Sequence, residues 1–225
     1  MRFRELHSAK DLAALVREIG FLPFFRNAIP GFSIEECTPR TLWFSATEDG
    51  PWEWKDEAIQ TSGGAYGKFF KGKAVYISAD WFPDFANYRR DGYDFEGFYE
   101  DGHARAVDKR IIDTIEKTGP VLSRTLRREA GFTGKEGTKG FDAALTRLQM
   151  QCFLITVGFE YAKDKDGREY GWGIGRYATP EQHFGPAFTE KAYAQEPEVS
   201  YQRIYDHLRA LLPDAPEAAI QKLLG

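Results

Sequence analysis

Cysteine is scarce: Cys37 and Cys152 are the only two in 225 residues, and they lie far apart in the chain. They form no Cys-x-x-Cys pair and no metal-ligand spacing, so neither a disulfide framework nor a zinc site is indicated. Both read as small buried apolar residues in a reducing compartment. Histidine is as sparse, with His7, His103, His183 and His207 scattered at no metal spacing. Long apolar runs are missing too. The longest, Cys152-Phe153-Leu154-Ile155-Thr156-Val157, is far too short to span a bilayer. The segment Met1–Leu6 has no apolar core of signal-peptide length. No Gly-rich loop ends in Lys-Ser/Thr, so nothing supports nucleotide-triphosphate use. These absences predict a soluble, cytoplasmic protein with no membrane partner, metal or cofactor.

Charge of one sign is also lacking, since thirty Lys+Arg face thirty-four Asp+Glu for a net −4. That excludes an obligately basic coat protein but permits a local basic surface. What the chain does have is apolar and aromatic mass: 42% hydrophobic residues, including eighteen Phe, eleven Tyr and five Trp. Such a chain cannot remain disordered, and its length suits one large domain or two small ones.

Composition divides the chain into three regions: an aromatic-rich α+β part over 1–104, a helical part closed by a strand pair over 105–180, and a C-terminal helical segment over 181–225. In the first, Ser8 precedes Leu12, Leu15, Val16 and Ile19 at helical spacing and Gly20 supplies a stop, predicting a helix over about 9–19. Thr41-Leu42-Trp43-Phe44 and Ala74-Val75-Tyr76-Ile77-Ser78 have the β-branched and aromatic content of strands. In the second, Val107, Ile111, Ile112 and Ile115 mark a helix over 106–118. Leu122 and Leu126 mark a short second one, and Phe141, Ala144, Leu145, Leu148 and Met150 a third. Two strand-like runs then flank Asp166-Gly167, a strong hairpin signal. Three helices followed by a hairpin is the layout of a winged helix-turn-helix, with 141–151 as recognition helix and the hairpin as wing. In the third region Val199, Ile204, Leu208, Leu211 and Leu212 fall on or near one face of an amphipathic helix.

Charge supports that layout. Between Lys117 and Arg147, seven basic residues face only three acidic ones, whereas 181–225 holds four basic and seven acidic. Arg124, Arg127, Arg128, Lys135, Lys139 and Arg147, with Lys165 and Arg168 of the wing, are the candidate contacts to DNA phosphates. The same stretch also reads as a solvated face on a protein-binding module.

Two further clusters could carry chemistry. In Pro51-Trp52-Glu53-Trp54-Lys55-Asp56 an indole could stack on a base while Glu53 or Lys55 does acid–base or phosphate work. A strand here would instead put both Trp52 and Trp54 on one face against the core. Tyr66 and Lys68 open a second lysine-bearing loop, with Lys71 and Lys73 following. In Asn87–Asp94, Arg89 or Arg90 could clamp a phosphate beside Tyr93, Asp91 and Asp94, or form an internal ion pair. Asp94, Glu53 and Asp91 are the candidate catalytic carboxylates.

The order Tyr66-Gly67-Lys68-Phe69-Phe70, Trp81-Phe82-Pro83, Asn87-Tyr88-Arg89-Arg90-Asp91-Gly92-Tyr93, Thr118-Gly119-Pro120, Tyr170-Gly171-Trp172 and Thr179-Pro180-Glu181 resembles the AlkZ-related proteins. These are distant relatives of the AlkZ/YcaQ winged-helix DNA glycosylases. The resemblance implies a winged-helix fold that binds duplex DNA, alkylated DNA included, and excises alkylated bases by water attack without metal or nucleotide. It also implies an N-terminal Gln-x-Gln or Gln-x-Asp pair, which this chain lacks there. Its one Gln-x-Gln, Gln149-Met150-Gln151, ends the third helix, where residues two apart point about 200° from each other and cannot share one water. The alternative is a non-enzymatic winged-helix regulator or interaction module.

Overall fold

A computed structural model describes residues 3–45, 47–134, 137–167 and 169–225. The chain runs α1 (Ala9–Ile19), β1 (Phe21–Pro23), α2 (Ile34–Cys37), a 3-10 turn (Arg40–Leu42), α3 (Trp54–Ser62), β2 (Ala65–Phe70) and β3 (Lys73–Ile77). It continues through α4 (Phe82–Arg90), α5 (Phe95–Glu100), α6 (Ala106–Thr118), β4 (Val121–Leu122), α7 (Ser123–Glu129) and α8 (Phe141–Met150). The last part comprises β5 (Ile155–Lys163), β6 (Glu169–Ala178), α9 (Pro180–Phe184), α10 (Pro186–Ala192), α11 (Pro197–Leu211) and α12 (Glu217–Leu224). The expected mixed α+β class holds. Among the described residues no helix is long and apolar enough to cross a membrane.

The strands form one antiparallel six-stranded sheet in the order β1-β3-β2-β5-β6-β4. Tyr66 pairs with Thr156, so the N-terminal strands and the β5–β6 hairpin share one sheet. The hairpin turns where Gly167, at φ +79°, donates its N–H to the Asp164 carbonyl. That is the left-handed backbone an Asp-Gly turn supplies.

Two apolar clusters fill the molecule. The larger one joins α1, the β1–β3 strands and α4 to Ile204, Leu208 and Ile220 of the C-terminal helices. The smaller one packs Phe95 and Phe98 against Ile111, Ile115, Leu126, Leu148 and Leu154. Val199 stands outside the buried face of α11, at 51% exposure, so the stripe there runs through Ile204, Leu208 and Leu212 instead.

Two expected strands are absent. Thr41 and Leu42 belong to the 3-10 turn Arg40–Leu42, entered from Pro39 at φ −53°, and the Trp43 ring that follows meets Phe24 at 5.8 Å. Trp52–Asp56 is the entry to α3: Glu53 accepts the Gly50 N–H at 2.9 Å, and the Glu53 and Trp54 N–H groups turn back to the Gly50 carbonyl. A helical entry separates the two indoles. Trp54 is buried in the core, and Trp52 remains half-buried at the surface.

Candidate functional site

The Trp52–Lys55 segment builds one wall of a cleft of about 490 Å³. The other walls come from Trp43 and Phe44 after the 3-10 turn, Tyr161 of β5, and Gly171 and Gly173 of β6. Trp43 and Trp52 meet edge to face, with centroids 5.7 Å apart, and both lean on Phe24 at 5.8 and 5.3 Å. The two pairs made by Trp43 are perpendicular and Trp52 meets Phe24 at 37°, contacts that add stability beyond their area burial. Phe44 takes no part in that packing and is 90% exposed. The Trp43 Nε1–H is buried without a hydrogen-bond partner among the described residues.

Lys55 is the buried cation of the cleft. Its Nζ lies 4.6 Å over the Phe159 ring and 5.5 Å over Trp52. Burial pushes its pKa below the ordinary lysine value, and the nearby Glu53 carboxylate opposes that shift. The aromatic faces supply part of the solvation that burial removes. The backbone around it is fixed, because Tyr76 Oη donates to the Lys55 carbonyl at 3.3 Å. Asp56 Oδ1 accepts the Phe159 N–H at 2.7 Å, and Gln60 Nε2 donates to the Val157 carbonyl at 2.9 Å. These bonds clamp α3 to β5. Glycine is required opposite Tyr161, since a Cβ on Gly173 would lie 2.8 Å from Tyr161 Cζ.

Of the expected pocket residues, Trp52, Glu53 and Lys55 therefore come together. Trp54 turns into the core, and Tyr66 lies behind the cleft with its ring 5.8 Å from Phe159. Lys68 is exposed, its backbone N–H donating to Gln149 Oε1 at 3.0 Å. The Asn87–Asp94 cluster lines no part of this cleft. Arg90 is fully buried, donating to Glu181 at 2.6 Å, Tyr193 Oη at 2.8 Å and the Cys152 carbonyl at 2.7 Å. Arg89 donates to the Leu224 carbonyl. Asp91 ends α4 in left-handed backbone, Tyr93 Oη donates to Asp101, and Asp94 accepts the Gly97 N–H as the cap of α5.

The candidate DNA contacts are mostly engaged within the protein. Arg124 pairs with Glu160, Arg127 with Asp142 and Arg128 with Glu129, each at 2.8 Å. Arg147 is held by Asp108 of α6. Lys139 and Lys165 are exposed and make no ion pair among the described residues. Lys135 and Arg168 lie outside the described residues. Gln149 is buried, with Nε2 bonded to the Leu145 carbonyl, so it serves α8 and β2 rather than a solvent water. Among the described residues no three His, Cys, Asp or Glu side chains gather as a metal would require.

Trp43, Phe44 and Tyr161 were not expected in the site. The adjacent Trp43-Phe44 pair ahead of a polar loop was a usable signal, masked by its strand-like composition.

These features define a mixed α+β protein with an aromatic, lysine-bearing cleft beside a β-hairpin. Searches of curated proteins and of solved structures find no match. The family described as AlkZ related matches residues 6–225, and the chain belongs to it.

Proposed function

We propose that this chain binds DNA, with residues 105–180 acting as a winged helix, and that the Trp52–Lys55 cleft receives a base displaced from the stack. The order α6-β4-α7-α8-β5-β6, with Val121 and Leu122 pairing to Tyr177 and Arg176, supports a winged helix whose wing is β5–β6. The observation that carries the reading is the shared wall. Tyr161, Gly171 and Gly173 of the wing line the same cleft as Trp52, Glu53 and Lys55. A wing on the duplex would then present that cleft to the DNA, and the indoles offer faces for an extruded base.

Family membership relates the chain to glycosylases of alkylated bases, and Glu53 is the expected carboxylate that lines the cleft. In the proposed reaction, water oxygen attacks the anomeric carbon and its proton passes to Glu53. The glycosidic bond breaks with its electron pair leaving on the alkylated base, whose positive charge is neutralised. The test is incubation with duplex carrying an N7-alkylated purine, followed by alkaline detection of abasic sites, with undamaged duplex and Glu53→Gln alongside. Breaks on damaged duplex alone, lost in the variant with binding retained, are expected.

A second reading, a non-enzymatic regulator or interaction module, draws on the carboxylate partners of Arg124, Arg127, Arg128 and Arg147. Binding without breaks across monoadduct and crosslink substrates would favour it and end the enzymatic proposal.

A further inference from the structure

The cleft beside Lys55 does not end at Trp52. A second hollow of about 440 Å³ shares Trp43, Phe44 and Trp52 with the first and reaches Phe25, Arg26 and Arg40. A third of about 410 Å³ shares Phe25 and Arg26 with the second and extends to Phe70, Lys71, Lys73 and Lys222. The three hollows follow one another through shared lining residues, from the β5–β6 hairpin to α12, and together mark out a trough.

Its lining is mostly aromatic toward the hairpin and cationic toward α12. Aromatic rings come from Trp52, Trp43, Phe44 and Phe25, with Arg26 and Arg40 in the second hollow and Lys71, Lys73 and Lys222 in the third. Arg40, Lys71, Lys73 and Lys222 are exposed, and no ion pair engages them among the described residues. Each of the two carboxylates beside the trough accepts one backbone N–H. Glu35 accepts the Arg26 backbone N–H at 3.0 Å, and Glu53 accepts the Gly50 N–H at 2.9 Å. Phe44 is an exposed phenyl ring, and the Trp43 indole N–H is buried with no hydrogen-bond partner among the described residues.

We infer that this trough is a track for single-stranded DNA, with unpaired bases stacking on the aromatic rings and phosphates running past the free lysines. Aromatic rings together with free cations are what a sequence-tolerant strand path needs, because every base has a face to stack and every linkage carries a charge. A duplex cannot offer its base faces to such rings. The inference rests on DNA being the ligand, as proposed above, and adds which form of DNA occupies this surface.

The test measures fluorescence anisotropy of labelled oligothymidylate, roughly a dozen nucleotides long, and of a duplex of the same length at several salt concentrations. The variants are Phe44→Ala and the double variant Lys73→Ala, Lys222→Ala, all at exposed positions. Phe44→Ala is expected to weaken single-strand binding about tenfold, the loss of one stacked base. The double variant is expected to flatten the slope of log affinity against log salt by about 1.4, two phosphate contacts on a single strand. Duplex bound with oligothymidylate unbound, or oligothymidylate bound equally by all variants, overturns the track and leaves the proposed function standing. Neither DNA bound at low salt overturns both.

Discussion

Arg147 of α8 and Asp108 of α6 form a two-pronged ion pair, Nε to Oδ2 at 2.9 Å and Nη2 to Oδ1 at 2.5 Å. Asp108 is completely buried and also accepts the Arg105 backbone N–H at 3.0 Å, so one carboxylate both caps α6 and anchors α8. Removing the arginine would strand that charge inside the protein. Arg147→Ala is therefore expected to cost about 3 kcal/mol of stability, the low end for breaking a buried pair. Arg147→Lys should recover only part of the loss, because an ammonium cannot match both carboxylate oxygens in the fork geometry. Urea unfolding of the three proteins checks this, and equal midpoints would show that the pair contributes nothing.

Lys55 sets a pH dependence with a definite sign. Its native pKa is depressed by burial, below the ordinary value of 10.5 that it regains on unfolding. Between the two, the unfolded chain holds a proton that the native chain has released. Raising the pH through that window therefore stabilises the native state, and the penalty for a buried ammonium is fully present at lower pH. Lys55→Met removes the titration. The stability of the wild type relative to that variant should rise as the pH climbs toward 10.5, read from urea titrations at pH 7 and pH 9.5. A constant difference would place the ammonium in solvent-like surroundings.

Local signals made some elements legible and left others hidden. The α1 helix could be read because Ser8 caps it by accepting the Asp11 N–H, Gly20 ends it, and its apolar spacing is unbroken. The β5–β6 hairpin could be read from Asp166-Gly167 for the same reason, since a turn type is chosen by a few adjacent residues. Trp43 and Trp52 misled, because aromatic strand preference is a statement about packing, and the packing here is ring on ring across a turn. The partners of the arginines were hidden by distance in the chain: Arg147 meets a residue 39 positions back and Arg124 one 36 positions on. The burial of Lys55 was hidden likewise, since Phe159 lies on a strand far along the chain.

Gln149 links the two halves of the molecule. It accepts the Lys68 N–H across to β2, while its own amide donates back to Leu145. Gln149→Leu would leave a backbone donor of β2 unpaired where α8 packs on it. The expected cost is about 1 kcal/mol, the low end for an unsatisfied group, because this bond is only part-buried. Faster amide exchange should be confined to Lys68 and its neighbours. Hydrogen exchange resolved by residue checks this, and unchanged exchange at Lys68 would show that its N–H finds another acceptor.

Loss of Arg90 should also damage the fold. Its guanidinium lies 4.5 Å from the Phe153 ring of the smaller core and 5.5 Å from the Phe188 ring of the larger one. It reaches Glu181, Tyr193 and the Cys152 carbonyl from that position, so three segments converge on a single charge. Arg90→Met keeps much of the apolar stem and removes every donor. The Cys152 carbonyl then loses its guanidinium partner, and Glu181, itself part-exposed, can turn to water. The expected loss is about 3 kcal/mol, the upper end for a buried acceptor left without its donor. A companion variant, Glu181→Gln, keeps an acceptor for Arg90 but removes the charge that offsets its burial, and should cost less. If Glu181→Gln proved the more damaging in guanidinium unfolding, the ion pair would outweigh the bond to the Cys152 carbonyl, and the two cores would be joined by charge rather than by that hydrogen-bonded hub.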